Sequence, residues 1–462
     1  MLEDEIGVKE IQLEINPSPK NREKLSSKEA ELKKYRYMEE EFWRQKSGMK
    51  WFKDGDRNTR FFHYNRVVKL DMAKAYDRVS WVFLTKVLRR FGISELIIDM
   101  VWRLVSNNWY SILMNGQPYG FFKSTRGMKQ GDPLSPTLFI IAAEVLARGL
   151  NKLNKDKDFK GFDMPKWSPP INHLSYADDT ILFCSGEKVS IRKMMGILQE
   201  YEKIGQLIIL SKSFFYLHDN TPPIVAIRLR RITGIRQGNF PFTNLGCPVF
   251  YGRKKNVYYE EMMRKIQRRI MSWQNKWLSY GGKVALITSV LQSMPLYLLS
   301  AMNPTKKVMS QLKQIFAGFF RSKSGDDKGK HCIAWDELCY PKVEGGIGMR
   351  SLNDVSKALY SKLWWNFRTS TSLWSTYMWN KYCKKQHPLL AESKGASHVW
   401  KKMVEVREEV EHNIWWQIGS GEVSFWFDNW TKQGALYFTE NQRGREEEIE
   451  VKRFITNEGW DG

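Results

Sequence analysis

Residues 61–81 read FFHYNRVVKLDMAKAYDRVSW. The middle of this stretch decides the fold. Val68–Met72 has the apolar, β-branched character of a short strand, it carries Asp71 near its end, and Val79–Phe91 follows as a helix stopped by Gly92. An aspartate at the end of a strand is ordinarily a cap. Its chemical meaning depends on what the rest of the chain brings beside it.

Two later segments supply that company. GMKQGDPLSP (127–136) enters a helix, Pro133–Leu150, through Asp132-Pro133, and HLSYADDTILF (173–183) lies in a hairpin, Ile171–Phe183, with Asp178-Asp179 at its tip. Between the first two segments, Tyr110–Met114 and Gly120–Ser124 form another hairpin around Asn115-Gly116. The mixture is an α+β unit. An Asp-Asp pair at a turn is usually turn chemistry, and each segment alone is weak. If Asp71 and the Asp178-Asp179 tip lie on adjacent strands, three carboxylates converge, and their repulsion is relieved when cations occupy the site. Two Mg²⁺ ions suit such a cluster, because magnesium takes carboxylate, water and phosphate oxygens and needs no His or Cys.

The remainder of the chain agrees with a polyanionic partner. The 462 residues carry a net charge of +23, at a pI near 9.6, and include 25 Phe, 19 Trp and 19 Tyr for stacking on bases. Residues 1–50 are balanced, with 11 acidic and 11 basic groups, so the excess lies after Trp51. Residues 226–270 are the densest positive segment, with 11 basic against 2 acidic groups. Within it, Met262, Ile266, Ile270, Trp273 and Trp277 share one helical face, and Arg264, Lys265, Arg268 and Arg269 lie away from that face. Residues 20–47 read as an exposed amphipathic helix. Five cysteines without CxxC spacing argue against both a disulfide framework and zinc. The longest apolar run, Leu138–Ala147, is too short to span a bilayer, and the N-terminus is no signal peptide. A soluble nuclear or cytoplasmic protein is expected.

Taken in order, LDMAKAYDRVSW, GMKQGDPLSPTLFIIAAEVLA and SYADDTILF resemble the palm motifs of reverse transcriptases of non-LTR (LINE-type) retrotransposons, particularly those of plants. The resemblance implies a right-hand polymerase that works with Mg²⁺, or Mn²⁺, on an RNA template, a DNA primer and dNTPs. It makes Asp71, Asp178 and Asp179 the metal-binding aspartates, with Asp71 and Asp178 the firmer ligands. Tyr76 matches the gate that crowds a ribose 2′-hydroxyl, Gln130 and Gly131 the loop against the incoming nucleotide and template, and Lys212 the lysine near the leaving phosphates. FTNLGCPVFYGRK is similar to the segment that grips the primer, and the helix bearing Arg264, Lys265, Arg268 and Arg269 to a thumb element on the duplex backbone. WDELCYPKVEGGIGMRSL and GSGEVSFWFDNW resemble the C-terminal region of plant elements. The implied organisation is a linker-like segment over 1–68, a palm over 69–220, a thumb-like region over 221–300 and a C-terminal region of unknown role over 301–462.

The chain also departs from the family. In relatives, WFKDGDRNTRFFH lies in a linker after an endonuclease, and KLDMAKAYD follows a whole fingers subdomain whose basic residues hold the triphosphate. Here the two are nearly fused near Val67–Lys69, and GQLIILSKS has Ile209 where the family usually shows Asn. The endonuclease and a later Cys/His-rich segment are also expected to be missing. Lys69 and Lys74 lie too close to the metal strand to replace the fingers, and Arg57 and Arg60 lie on the linker. An impaired RNA-directed DNA polymerase is therefore expected. A catalytically inactive nucleic-acid-binding remnant and a translated fossil are the alternatives.

Overall fold

One strand organises the first half of the chain. In the computed structural model, β1 (Asn65–Asp71) pairs antiparallel on one side with β5 (Asp179–Ser185) and on the other with β6 (Phe214–Tyr216). Adding β4 (His173–Tyr176) and the short β7 (Arg236–Gly238) completes a sheet of order β4-β5-β1-β6-β7, antiparallel except for β6 and β7. A separate two-stranded sheet, β2 (Trp109–Met114) with β3 (Gln117–Lys123), turns at Asn115-Gly116, where φ is +50° and +80°. That is the primed turn for which Asn-Gly is suited. The structure describes residues 65–72, 74–203, 209–218, 221–274, 278–322, 333–384, 386–439, 449–456 and 459–460, together with residues 6, 9, 12, 16, 18–19, 21–28 and 30–31.

β1 begins three residues before the strand expected at Val68. Its residues alternate, with Arg66, Val68 and Leu70 buried and Val67, Lys69 and Asp71 half-buried. β5 alternates in step, so Thr180, Leu182 and Cys184 face the core. Helices α1 (Trp81–Arg90), α2 (Glu95–Ser106), α3 (Ser135–Leu153), α4 (Lys188–Lys203) and α5 (Pro223–Thr233) pack Leu84, Ile98, Leu146, Leu198 and Leu229 into this core, leaving the other sheet face open. The core face also holds one charge. The Arg66 guanidinium lies over Gly186, where a Cβ would come within 2.9 Å of it and make it shift. Burial pulls the Arg66 pKa below its usual value.

Residues 1–164 with 170–240 form one unit, and residues 165–169 with 241–462 another. The second unit is mostly helical. Its long helices are α6 (Glu260–Gln274), α7 (Lys306–Arg321), α8 (Leu352–Thr369) and α9 (His398–Asn413). One core gathers Ile266, Leu312 and Phe316, and a second, Trp364, Phe367 and Trp400. On α6 the buried stripe is Met263, Ile266 and Ile270, with Met262 and Trp273 only half-buried against it, while Trp277 lies outside the described residues. The expected helix over 20–47 is described only in part, and residues 51–64 lie outside. No helix among the described residues is long and apolar enough to cross a membrane.

Candidate active site

The pairing of β1 with β5 sets Asp71 directly opposite Asp179. Cross-strand partners project from the same side of a sheet with their Cβ atoms roughly 5 Å apart, so both carboxylates stand on the open face. Asp178 precedes them in the turn and is exposed. The register therefore places Asp179, the second acid of the pair, nearest to Asp71. On the same face the Lys69 ammonium, two residues before Asp71, lies 3.2 Å from an Asp179 oxygen. Lys69 was weighed above only as a substitute for missing cations. The signal that could have identified it is the two-residue period of the strand, which puts positions 69 and 71 on one face.

Hydrogen bonds join the loop of the second motif to the segment that follows β1. The Met128 N–H donates to the Tyr76 carbonyl at 2.9 Å, the Gly127 N–H to the Val79 carbonyl at 2.9 Å, and the Trp81 indole to the Gly127 carbonyl at 2.6 Å. These bonds clamp the 127–132 loop against the segment that follows β1. Gly127 has φ +91°, and a Cβ there would lie 2.6 Å from the Asp77 carbonyl oxygen, so only glycine fits. Gln130 is held by its side-chain amide, which donates to an Asp77 carboxylate oxygen at 3.3 Å, and Gly131 follows at φ +88°. Tyr76 stacks on Phe139 of α3, with centroids 4.7 Å apart and planes 12° off parallel.

The turn at residues 209–213 is tied to the same strand end. Ile209 donates its N–H to the Asp71 carbonyl at 2.9 Å, and the Asp71 N–H donates to the Ser213 hydroxyl at 3.1 Å. Lys212, exposed, sits between them with its N–H on the Ile209 carbonyl at 3.0 Å. The bond to Asp71 uses the backbone of residue 209, which is why isoleucine at that position leaves it intact. Asp71, Asp179, Tyr76, Gln130, Gly131 and Lys212 thus belong to segments joined at one end of the sheet.

The donors on this face are of the kind a hard cation takes. Asp71 and Asp179 offer only oxygen, and an ammonium ion already compensates one of them. Among the described residues, no group of three or more His, Cys, Asp or Glu side chains is gathered tightly enough to hold a metal ion. The second unit carries the basic helix. Arg264, Lys265, Arg268 and Arg269 are all exposed on α6, where Glu261 pairs with Arg264 at 3.3 Å and with Arg268 at 3.2 Å.

A family model described as reverse transcriptase (RNA-dependent DNA polymerase) matches residues 30–279. The chain is 28% identical over 224 residues to a putative ribonuclease H protein of Arabidopsis thaliana, a match covering 46% of this chain and 36% of that protein. It is 34% identical over 119 residues to a retrovirus-related Pol polyprotein from a type-1 retrotransposable element R2 of Popillia japonica, covering 26% of this chain and 18% of the polyprotein. The chain thus spans little more than a third of the first relative and under a fifth of the second. Among solved structures, telomerase from Candida albicans in complex with a fragment of telomeric RNA aligns over 70% of this chain and 52% of its own, at 15% identity and a TM-score of 0.32.

Proposed function

This chain belongs to the reverse transcriptase (RNA-dependent DNA polymerase) family, in its non-LTR retrotransposon branch, and we propose that residues 69–220 are a polymerase palm whose reacting face is the Asp71–Asp179 end of the sheet. The observation that carries this reading is the register that sets Asp71 opposite Asp179, with the Lys212 turn bonded to Asp71 and the Gln130 loop bonded to the Tyr76–Val79 segment that follows β1. The reaction is addition of deoxynucleotides to a DNA primer on an RNA template. Asp71, Asp178 and Asp179 would hold Mg²⁺, or Mn²⁺, which when bound supplies an activated primer 3′-hydroxyl and neutralises the triphosphate.

The side chains of the protein divide the remaining work. Lys69 keeps Asp179 neutralised until a stronger cation takes its place, since an ion pair that is partly exposed exchanges readily. Tyr76, fixed in direction by its stack on Phe139, crowds the ribose 2′ position and selects deoxynucleotides. Gln130 and Gly131 support the incoming nucleotide and template, and Lys212 faces the leaving phosphates. Arg264, Lys265, Arg268 and Arg269 follow the phosphate backbone of the duplex as part of a thumb. Such contacts position a nucleic acid without reading its sequence.

Extension by this chain is weak. WFKDGDRNTRFFH ends at His63 and β1 already starts at Asn65, so no chain remains between the two to form fingers. Cations of the kind that stabilise charge on a transferring phosphoryl group are worth on the order of 10³ to 10⁵ in rate. Primer extension on an RNA template with Mg²⁺ and dNTPs tests both parts of the reading. The unmodified chain is expected to give no detectable product, and a chain with a relative's fingers segment inserted between Tyr64 and Asn65 is expected to extend. Insertion at the apparent junction, between Val68 and Lys69, would instead split β1 where it pairs with Leu182 and Ile181. Asp71→Asn in the repaired chain should abolish extension. Robust extension by the unmodified chain, lost with Asp71→Asn, would refute the impairment alone. Extension that survives Asp71→Asn would refute the palm.

A further inference from the structure

Four strand ends of the first unit meet where Asp71 stands. β1 runs toward this end, and β5, β6 and β7 all start from it, so the turn before β6 and Arg236, the first residue of β7, lie at the same end of the sheet. In the register Lys69 is opposite Phe214 and Phe214 is opposite Arg236, which puts these side chains on the face that carries Asp71 and Asp179. Two residues along β7, a Cβ at Gly238 would meet the Tyr216 ring at 2.5 Å and the Phe214 Cβ at 3.1 Å, as residues on one face do.

The cations of this face are divided. Lys69 is paired with Asp179. Arg236 instead donates from Nη2 to the Ser211 carbonyl at 2.9 Å, which brings its guanidinium to the turn that carries Lys212, and both residues are exposed. Among the described residues, no carboxylate is ion-paired with either of them. The bond to Ser211 uses one of the several N–H donors of a guanidinium and gives the group a direction. The acids stand on β1 and β5, whereas these two cations stand on the β6–β7 side, one and two strand spacings from β1, or roughly 5 and 10 Å.

We propose that Lys212 and Arg236 form an oligophosphate site, which takes the phosphate chain of a nucleoside triphosphate whose reacting end lies at Asp71. The inference rests on the palm reading and extends it. Lys212 belongs to a motif of the family, while Arg236 belongs to none and reaches the site through the β6–β7 register. Arginine suits the place because its planar fork binds two oxygens of one phosphate at once. Without fingers to close over it, a triphosphate held here is anchored on one side only, so the chain binds nucleotide more readily than it uses it.

Arginine footprinting of the full chain tests the assignment, with phenylglyoxal as reagent, mass spectrometry as readout and inorganic tripolyphosphate as probe, in EDTA. Tripolyphosphate is expected to slow modification of Arg236 several-fold at a concentration that leaves Arg264 and Arg268 of α6 unprotected. Protection equal at all three would mean general attraction to a chain of charge +23 and would overturn the proposal. By calorimetry, Arg236→Gln should raise the tripolyphosphate dissociation constant by about tenfold, Arg236→Lys by less, and Arg264→Gln/Arg268→Gln not at all. An Arg236 that only props the turn through Ser211 would show no footprint in the wild type, a result that stands even if the variants fail to fold. Protection by an oligodeoxynucleotide but not by tripolyphosphate would give the site to a nucleic-acid backbone and also overturn it. Failure of the palm reading shows separately, as extension that survives Asp71→Asn, because the footprint requires no catalysis.

Discussion

On the open sheet face of the first unit, Lys69 and Asp179 pair with 21% and 31% of their side chains exposed, whereas in the second unit Arg368 is ion-paired to Glu411 and Asp428 with side chains 5%, 0% and 11% exposed. The buried cluster is furnished with fixed partners. The Trp364 indole and the Arg368 Nε both donate to Glu411 Oε1 at 2.7 Å, the Ser424 N–H donates to Asp428 at 2.8 Å, and Trp416 stacks over the guanidinium at 4.9 Å. It joins α8, α9 and the FWFDNW segment. The Lys69–Asp179 pair is more exposed, and water can reach both of its partners. Charges enclosed by protein groups hold a fold, while carboxylates left facing solvent remain available to a ligand.

Removing Arg368 should produce the largest effect. Arg368→Met leaves Glu411 and Asp428 as buried anions without their cation, for which about 3–5 kcal/mol of stability is lost. Urea unfolding followed by tryptophan fluorescence would measure it. A loss under about 1 kcal/mol would show that the cluster is no more structural than the open pair.

His387 sharpens the comparison through pH. Its Nδ1 accepts the Leu389 N–H at 3.3 Å, which leaves Nε2–H to donate to Asp428 at 3.2 Å. Burial pushes the imidazole down to about 4, from 6.5. As the pH falls, the unfolded chain takes up this proton before the folded one. The contribution is therefore complete above about pH 6.5 and is lost between about 6.5 and 4, a change on the order of 3 kcal/mol. Burial moves Glu411 upward, so its protonation works in the opposite direction. Comparing the pH dependence of stability in wild type and His387→Gln separates the two. Parallel curves across that window would remove His387 from the account.

Asp179→Asn should give the smallest change in stability, within about 1 kcal/mol, because a partly exposed ion pair contributes little. Its consequence lies elsewhere, in loss of most of the rise in melting temperature that Mn²⁺ gives the wild type. An equal metal response in both proteins would deny that Asp179 is a ligand, and would leave the open face without the availability inferred for it.

Much of the first unit is legible in the sequence. The Asn115-Gly116 hairpin needs only local backbone preference, and α3 follows from its proline entry and apolar period. The strand through Asp71 is legible in kind, but its start three residues before Val68 is not, because Asn65 and Arg66 carry no strand signal of their own and are held by pairing with Ser185 and Cys184. On α6 the helical period gives the right face, but Met263 and not Met262 is the buried methionine of the stripe. The second unit hid its most constrained residues. Arg368, His387, Glu411 and Asp428 stand at scattered positions, and a lone charge in a helical sequence reads as solvated.

The mixed helix and strand character, the turns, the basic helix and the three acidic segments in an order that marks the family are all written locally, in composition or in neighbours a few residues apart. Long-range pairing and packing settle which acid stands opposite Asp71, that Lys69 pairs with Asp179, that an arginine lies in the sheet core over Gly186, and that the β2–β3 strands are exposed. Each of these depends on register or on burial by residues distant in the chain. A shift of one position in strand pairing would turn the same carboxylates to the opposite face without altering a single local preference.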